Sequence, residues 1–340
     1  MSKINYLVAQ AAPLNQLQEI APKIFWLRLA MPFALDHINL WLIEDDEFWT
    51  IVDTGPDVEQ ARASWLEVIN NQLKGKPIKQ VLCTHFHPDH LGLAGWLCKE
   101  HEAELLISKG EYDIYHHLFS ELNHTDRSTI EAFYQSIGAS EKQLASYEKH
   151  ITMFSKIIHP LPEQYTALKD KQTLTLGGYE WLLVTGKGHS PEHICLYNQE
   201  LDLFISGDQL LPTISSNVSV WPTDPLANPM QDMLDSYHYL LATINDNTKV
   251  LPAHGLPFTG GLIRTNKLIV DTEQDIENLL NHCHQPRKLA ETFSVLFKSE
   301  ITKHNLMLAY GEALACINYL RVKGKLSVNE VDGVNYYQGI

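Results

Sequence analysis

At 340 residues the chain is longer than one typical domain, and its 44% hydrophobic content is ample for a core. A formal charge of −15 argues against broad, non-specific binding to nucleic acid or membrane surfaces. Cys83, Cys98, Cys195, Cys283 and Cys316 form no Cys-x-x-Cys pair and read as reduced core thiols. Met1-Ser2-Lys3-Ile4-Asn5 shows no cleavable-signal pattern, and no segment approaches membrane-spanning length. The expectation is a soluble, cytoplasmic protein.

Residues 20 to 55 predict strands at Ile24-Phe25-Trp26-Leu27-Arg28-Leu29, at Ile38-Asn39-Leu40-Trp41-Leu42-Ile43 and from Phe48 to Val52. Glu44-Asp45-Asp46-Glu47 is a solvated hairpin turn between the last two. Helical spacing runs from 57 to 73 through Ala61, Trp65, Leu66 and Ile69, and a strand follows at 78 to 83. The spacing then predicts one helix opening near Asp89 and running through Leu93, Trp96 and Leu97. Residues 110 to 160 are helical and rich in Tyr, His and Phe, and fit either a cap over a site or an ordinary packed helical pair. His116, His117, His124 and His150 in this stretch read as surface or core histidines. From Leu174 to His254 the α/β pattern resumes, broken after Asp208 by a Pro- and Ser-rich loop, Leu211 to Pro222, that carries Trp221. A long helix is expected over 263 to 283, then helices from Arg287 to Phe297 and from Asn305 to Lys323. A terminal hairpin turns at Asp332-Gly333.

The chemistry concentrates in Thr84-His85-Phe86-His87-Pro88-Asp89-His90, which directly follows the apolar run Gln80-Val81-Leu82-Cys83. Three imidazoles crowded into six residues repel one another when protonated, whereas a divalent cation keeps them neutral and uses their lone pairs. His85 and His87, two apart on extended chain, point the same way. Pro88 ends the extension and turns Asp89 and His90 toward a second position. Other apolar runs also end in polar groups: Trp49 to Val52 in Asp53, Trp181 to Val184 in a glycine-flanked His189, Leu203 to Ile205 in Asp208, and Val250 to Ala253 in His254. Ligands gathered at one end of several strands are how an α/β protein builds a site.

From Asp53 to His254 these residues resemble the five motifs of the metallo-β-lactamase fold superfamily, in its glyoxalase II-like subgroup. The resemblance implies an αββα sandwich over residues 1–262 with a helical insertion at about 110–160. A helical, winged-helix-like domain follows over 263–340, similar in architecture to the appendage of an endoribonuclease-like branch. Position by position, His85, His87 and His189 resemble the ligands of a first metal, and Asp89, His90 and His254 those of a second. Asp208 resembles the bridging carboxylate, and Asp53 an acidic residue that orders loops beneath the site. A carboxylate at 208, where some β-lactamases carry cysteine, makes antibiotic hydrolysis a poor first expectation. His193 matches a histidine that makes a structural hydrogen bond. His37 is either near the pocket or an ordinary loop histidine.

The implied cofactors are two divalent ions, zinc by first preference, with iron and manganese also suited to nitrogen and oxygen ligands. The implied reaction is hydrolysis of an acyl thioester, ester or lactone by a hydroxide shared between the ions, with Asp89 and Asp208 as the catalytic carboxylates. The expected partner is a small acyl substrate. The alternatives are a phosphodiesterase or endoribonuclease, and a non-catalytic metal-binding effector. From Arg287 onward seven Lys and Arg face five acids, a net of +2, so packing or homodimerisation is preferred there over nucleic-acid binding.

Overall fold

The computed structural model describes residues 3–32, 35–119, 127–302 and 305–340. His124 and Lys303 lie outside the described residues. Among the described residues, two seven-stranded sheets stack face to face. The first runs in the order Gln18–Ala21, Ile24–Ala30, His37–Glu44, Trp49–Val52, Ile78–Leu82, Glu104–Ser108, Thr166–Leu168. The second runs Asn5–Tyr6, Phe258–Thr259, Lys249–Pro252, Leu203–Gly207, His193–Asn198, Tyr179–Gly186, Thr173–Leu176. Period-two alternation explains the layers. Trp26, Trp41 and Ile43 face Trp181, Leu183 and Leu251 between the sheets, while Leu27, Leu29, Leu40 and Leu42 face the helices outside. Strands buried on both faces must be apolar nearly throughout, so their runs look continuous.

Glu59–Asn71 and Ala94–His101 cover the outer face of the first sheet, and Pro229–Thr243 and Gly261–His282 that of the second. This is the expected αββα sandwich. The parallel pairs Trp49–Val52 with Ile78–Leu82, and Leu203–Gly207 with Lys249–Pro252, bring their C-terminal ends to one edge. Asn39, within a strand of the first sheet, ties that edge together. Its side-chain oxygen accepts the Trp26 indole N–H at 2.9 Å, and its amide donates to the carbonyls of Pro252 at 2.9 Å and Gly255 at 2.8 Å. Asn39→Ala strands three polar groups and is expected to cost about 3 kcal/mol, read as a fall in the urea midpoint. An unchanged midpoint would remove Asn39 from the account.

The helix expected from Asp89 through Leu97 is two segments, Pro88–Leu91 and Ala94–His101. The ladder breaks because neighbours take its groups: Leu93 N–H donates to the Gly55 carbonyl and Thr54 Oγ1, and the Gly92 carbonyl accepts from His159 N–H. Residues 110–160 contain Lys109–Phe119, Arg127–Ser136 and Glu141–Ser155. The first packs Phe119 on Phe86. The other two place Phe133, Tyr134 and Tyr147 in one core with Tyr310 and Leu314 of Leu306–Val322. Trp221 lies half-buried beside them, at a cavity of about 40 Å³.

The stretch expected to be helical from Arg287 opens instead as a short strand, Arg287–Lys288, before a 3₁₀ turn at Leu289–Thr292 and a short helix at Phe293–Leu296. Pro286 disfavours helical backbone at the residue before it, and the edge of Val334–Gly339 offers Arg287 and Lys288 a ladder. Leu326–Val331 completes a three-stranded antiparallel sheet. Its hairpin turns at Asp332 and Gly333 with φ of +52° and +76°, as a two-residue loop with both φ positive requires. All five cysteines are free and buried. Among the described residues no helix is long and apolar enough to cross a membrane.

Candidate dinuclear metal centre

The loops at the shared sheet edge bring donor atoms together in two groups: His85, His87, His189 and Asp208, and Asp89, His90 and His254. Within each group the donors lie within 4.8 Å of one another. All seven residues singled out in the sequence are present. His85 Nε2 sits 2.8 Å from His87 Nδ1 and 3.2 Å from His189 Nε2, and His189 Nε2 sits 3.4 Å from Asp208 Oδ2. In the second group His254 Nε2 is 3.3 Å from Asp89 Oδ2, and His90 Nε2 is 3.7 Å from the same oxygen. Asp208 faces both groups, with Oδ2 3.5 Å from His90 Nε2 and Oδ1 3.5 Å from His254 Nε2. A tetrahedral site with arms of about 2.0–2.1 Å has edges of about 3.3 Å, so these spacings fit a cation.

The outward nitrogens fix the ring orientations. His90 Nδ1–H donates to Asp53 Oδ2 at 2.7 Å, His189 Nδ1–H to the Asn217 carbonyl at 2.7 Å, and His254 Nδ1–H to the His37 carbonyl at 2.9 Å. His85 Nδ1 meets Thr84 Oγ1 at 3.0 Å, and that hydroxyl donates to Asp53 at 2.8 Å. Each arrangement turns Nε2 inward with its lone pair free, the usual support behind metal-binding imidazoles. The inward atoms His90 Nε2, His254 Nε2 and Asp208 Oδ1 are buried without a hydrogen-bond partner. Orphaned buried polar atoms are costly unless something else satisfies them, and a cation would satisfy all three.

Electrostatics point the same way. Burial, reinforced by neighbouring imidazoles, drives His85 well below the ordinary imidazole range, and burial takes His87 to about 3. Both are neutral ligands at any ordinary pH. Burial works against charge on His90 and His254 too, but Asp208 and Asp89, joined at His90 by Asp53, outweigh it and raise both. Burial likewise opposes ionisation of Asp89 and Asp208, yet His90 and His254 hold Asp89 down to about 2 and Asp208 well below the carboxylate range. The second group therefore demands positive charge, which a divalent cation supplies with the protons displaced. His87 and Asp89 are only half-buried, so the centre opens on their side.

Asp53 acts beneath the site, as the resemblance implies. Its carboxylate takes the Thr84 N–H at 2.7 Å as well as the Thr84 hydroxyl and His90. His193 accepts the Asp208 N–H on Nε2 at 3.1 Å and supports the backbone of that carboxylate. Gly207, at φ +49°, leaves room for it, since a Cβ there would meet the His193 ring at 2.6 Å. His37 contributes its carbonyl to His254, and Gly255 N–H reaches its ring at 3.3 Å. His116 packs on Tyr112 and Tyr115, outside both donor groups.

Glu111 escaped the sequence reading. Fully buried, it accepts the Ser190 hydroxyl at 2.6 Å, the Glu192 N–H at 2.7 Å and the Phe86 N–H at 2.9 Å, tying the His85–His87 loop to the His189 loop. Burial pushes its carboxyl up to about 7 despite these three donors. Glu111→Gln turns an amide NH₂ toward at least one donor and is expected to cost about 1–3 kcal/mol in denaturant unfolding. A variant as stable as the parent would show that the carboxylate does not bind the loops together. No spacing or pattern separates Glu111 from a solvated helix glutamate.

A family model described as the Metallo-beta-lactamase superfamily matches residues 34–254, and one described as Metallo-beta-lactamase-like, C-terminal domain, matches residues 276–340. The chain belongs to the metallo-β-lactamase superfamily. Among solved structures, a beta-lactamase domain protein from Burkholderia ambifaria is 35% identical with a TM-score of 0.90, covering 99% of this chain and 98% of that one. A metallo-beta-lactamase family protein from Thermus thermophilus is 25% identical with a TM-score of 0.81, covering 95% and 100% respectively. The Bacillus subtilis protein named "Probable metallo-hydrolase YqjP" is 27% identical over 254 residues, 68% of this chain and 72% of its own length. This chain is a metallo-hydrolase of the superfamily with a candidate two-metal site.

Proposed function

We propose that the chain is a dinuclear metal-dependent hydrolase of acyl thioesters, esters or lactones, in the glyoxalase II-like part of the superfamily. The observation that carries the reading is Asp208, whose carboxylate lies 3.4 Å from His189 of the first group and 3.5 Å from both His90 and His254 of the second. When bound, a pair of divalent cations, zinc by first preference, supplies a water ionised near neutrality and polarises the scissile carbonyl.

The chain's own residues do the remaining work. His85 and His87, as neutral donors, hold one side of the site together with His189, and His90 and His254 hold the other. Asp89, on the open side, orients the attacking water and passes a proton toward the leaving group. A thiolate, with a thiol pKa of about 8.5, leaves without that proton, whereas an alkoxide needs it. Thioesters are therefore the least demanding substrates. The net charge of −15 disfavours a long polyanion, and the half-buried Phe119 and Trp221 offer apolar surface to an acyl group. The C-terminal helices and three-stranded sheet, winged-helix-like in our reading, motivate the phosphodiester alternative.

The zinc-loaded protein should be offered acyl-CoA, acyl-glutathione, a lactone, bis-nitrophenyl phosphate and single-stranded RNA. Turnover is expected on the acyl compounds, fastest on a thioester. Cleavage confined to the phosphodiester or RNA would overturn the substrate assignment.

A further inference from the structure

We infer that Glu312, on the C-terminal helix Leu306–Val322, is a positioning residue of the metal centre that holds His189 in place through Asn217. The inference rests on the dinuclear reading above. Three imidazoles of the centre are oriented from within the first sheet and its loops: His85 through Thr84, His90 through Asp53, and His254 through the carbonyl of His37. His189 differs. Its Nδ1–H donates to the carbonyl of Asn217, in the loop after Asp208.

That loop has no strand or helix from Leu211 to Asn228, so no ladder fixes its backbone. Side chains, one of its own and others from elsewhere, hold it. Ser216 Oγ–H donates to the Asp208 carbonyl, and Arg264 of Gly261–His282 donates to the carbonyls of Leu211 and Ile214, each at 2.7 Å. At the point where the loop meets His189, the support comes from the C-terminal helix. Asn217 Nδ2–H donates to Glu312 Oε2 at 2.7 Å, and Val220 N–H donates to the Gly311 carbonyl at 3.1 Å. Ser219 Oγ–H closes the other end of the amide by donating to Asn217 Oδ1 at 2.5 Å.

Gly311 explains how helix and loop come so close. A Cβ there would sit 2.6 Å from Ser219 Oγ, which no ordinary contact allows. A glycine in a helix interior weakens the helix, and here the close approach accounts for it. The route therefore runs from the C-terminal helix to Glu312, to the Asn217 amide, to its own carbonyl and to the His189 ring. It joins residues 95 apart in the chain, and it makes the C-terminal segment part of the metal centre's support.

The test uses the full chain, stripped of metal, and Zn²⁺ alone as the probe, with affinities measured by competition against a chromophoric chelator. Glu312→Ala and Asn217→Ala are each expected to weaken one of the two zinc sites by about 10–100-fold and leave the other within a few-fold. Glu312→Gln, whose carbonyl oxygen still accepts the Asn217 N–H, is expected to retain affinity close to that of the parent. A purely structural role would lower the melting temperature of the metal-free variants without moving zinc affinity. Folded Ala variants that bind both ions like the parent overturn the inference, as does an equal loss in Glu312→Gln and Glu312→Ala. If Glu312→Ala fails to fold, Asn217→Ala decides by the same criterion. A parent chain that takes up no zinc overturns the dinuclear reading itself, and the link with it.

Discussion

Asp208→Ala is expected to lower kcat/KM on acyl substrates by about a thousandfold or more, with the fold retained. The size of the effect follows from position. Asp208 alone among the seven faces both donor groups, at 3.4 to 3.5 Å from His90, His189 and His254. Its removal takes a negative charge from between the two donor groups and leaves the first group with three imidazoles and no carboxylate. Metal content should fall together with activity, and circular dichroism should show the sandwich intact. Asp208→Asn keeps the shape and removes the charge, so it should lose nearly as much. Turnover at the parent rate in either variant would refute the role given to this carboxylate.

Asp53→Ala is expected to be the most destabilising single substitution around the site, costing about 3–5 kcal/mol in urea unfolding of the metal-free protein. Three buried donors lose their acceptor at once: Thr84 N–H, the Thr84 hydroxyl and His90 Nδ1–H. Asp53 also stands at φ +62°, a conformation that aspartate and asparagine tolerate better than alanine. Because the Thr84 hydroxyl also orients His85, one substitution loosens a histidine of each group, and zinc affinity should fall about 10–100-fold. Asp53→Asn keeps the backbone preference and one acceptor oxygen, so its cost should be intermediate. An alanine variant as stable as the parent would mean that the donors find other acceptors and that Asp53 does not order the loops.

The difference between these ligands and their supports explains how much the sequence disclosed. His85, His87, Asp89, His90, His189, Asp208 and His254 each follow an apolar run at a strand's end, so strand-to-loop placement marks them locally. The sandwich is legible for the same reason, since strands buried on both faces are short, continuous and apolar. Glu111, Asn217 and Glu312 carry no such local mark. They matter through hydrogen bonds to residues 25 to 95 positions away, which exist only once the sheets have stacked and the C-terminal helix has docked. Asn39 reaches farther still, to a loop more than 200 residues on. The two errors in element boundaries share this cause. Leu93 gives its N–H to Thr54 and Gly55, and Arg287 and Lys288 pair with a strand some 50 residues later. In each case a distant partner overrides local helical spacing.

The insertion shows the same limit. Aromatic content over 110 to 160 fits a cap or a packed helical pair equally well, and what distinguishes them is the surface the helices meet. Phe133, Tyr134 and Tyr147 meet the C-terminal helix, whereas Phe119 meets Phe86, between His85 and His87. The insertion thus bridges the C-terminal segment and the loop that opens the metal centre.

The claim beneath all of this is that seven side chains bind two cations side by side. Elemental analysis of the purified chain, exposed to zinc and then freed of excess, measures it directly. The account predicts close to two ions per chain in the parent and no more than one in Asp208→Ala. A parent that saturates at a single ion, or that holds two ions undiminished by the loss of Asp208, would contradict it.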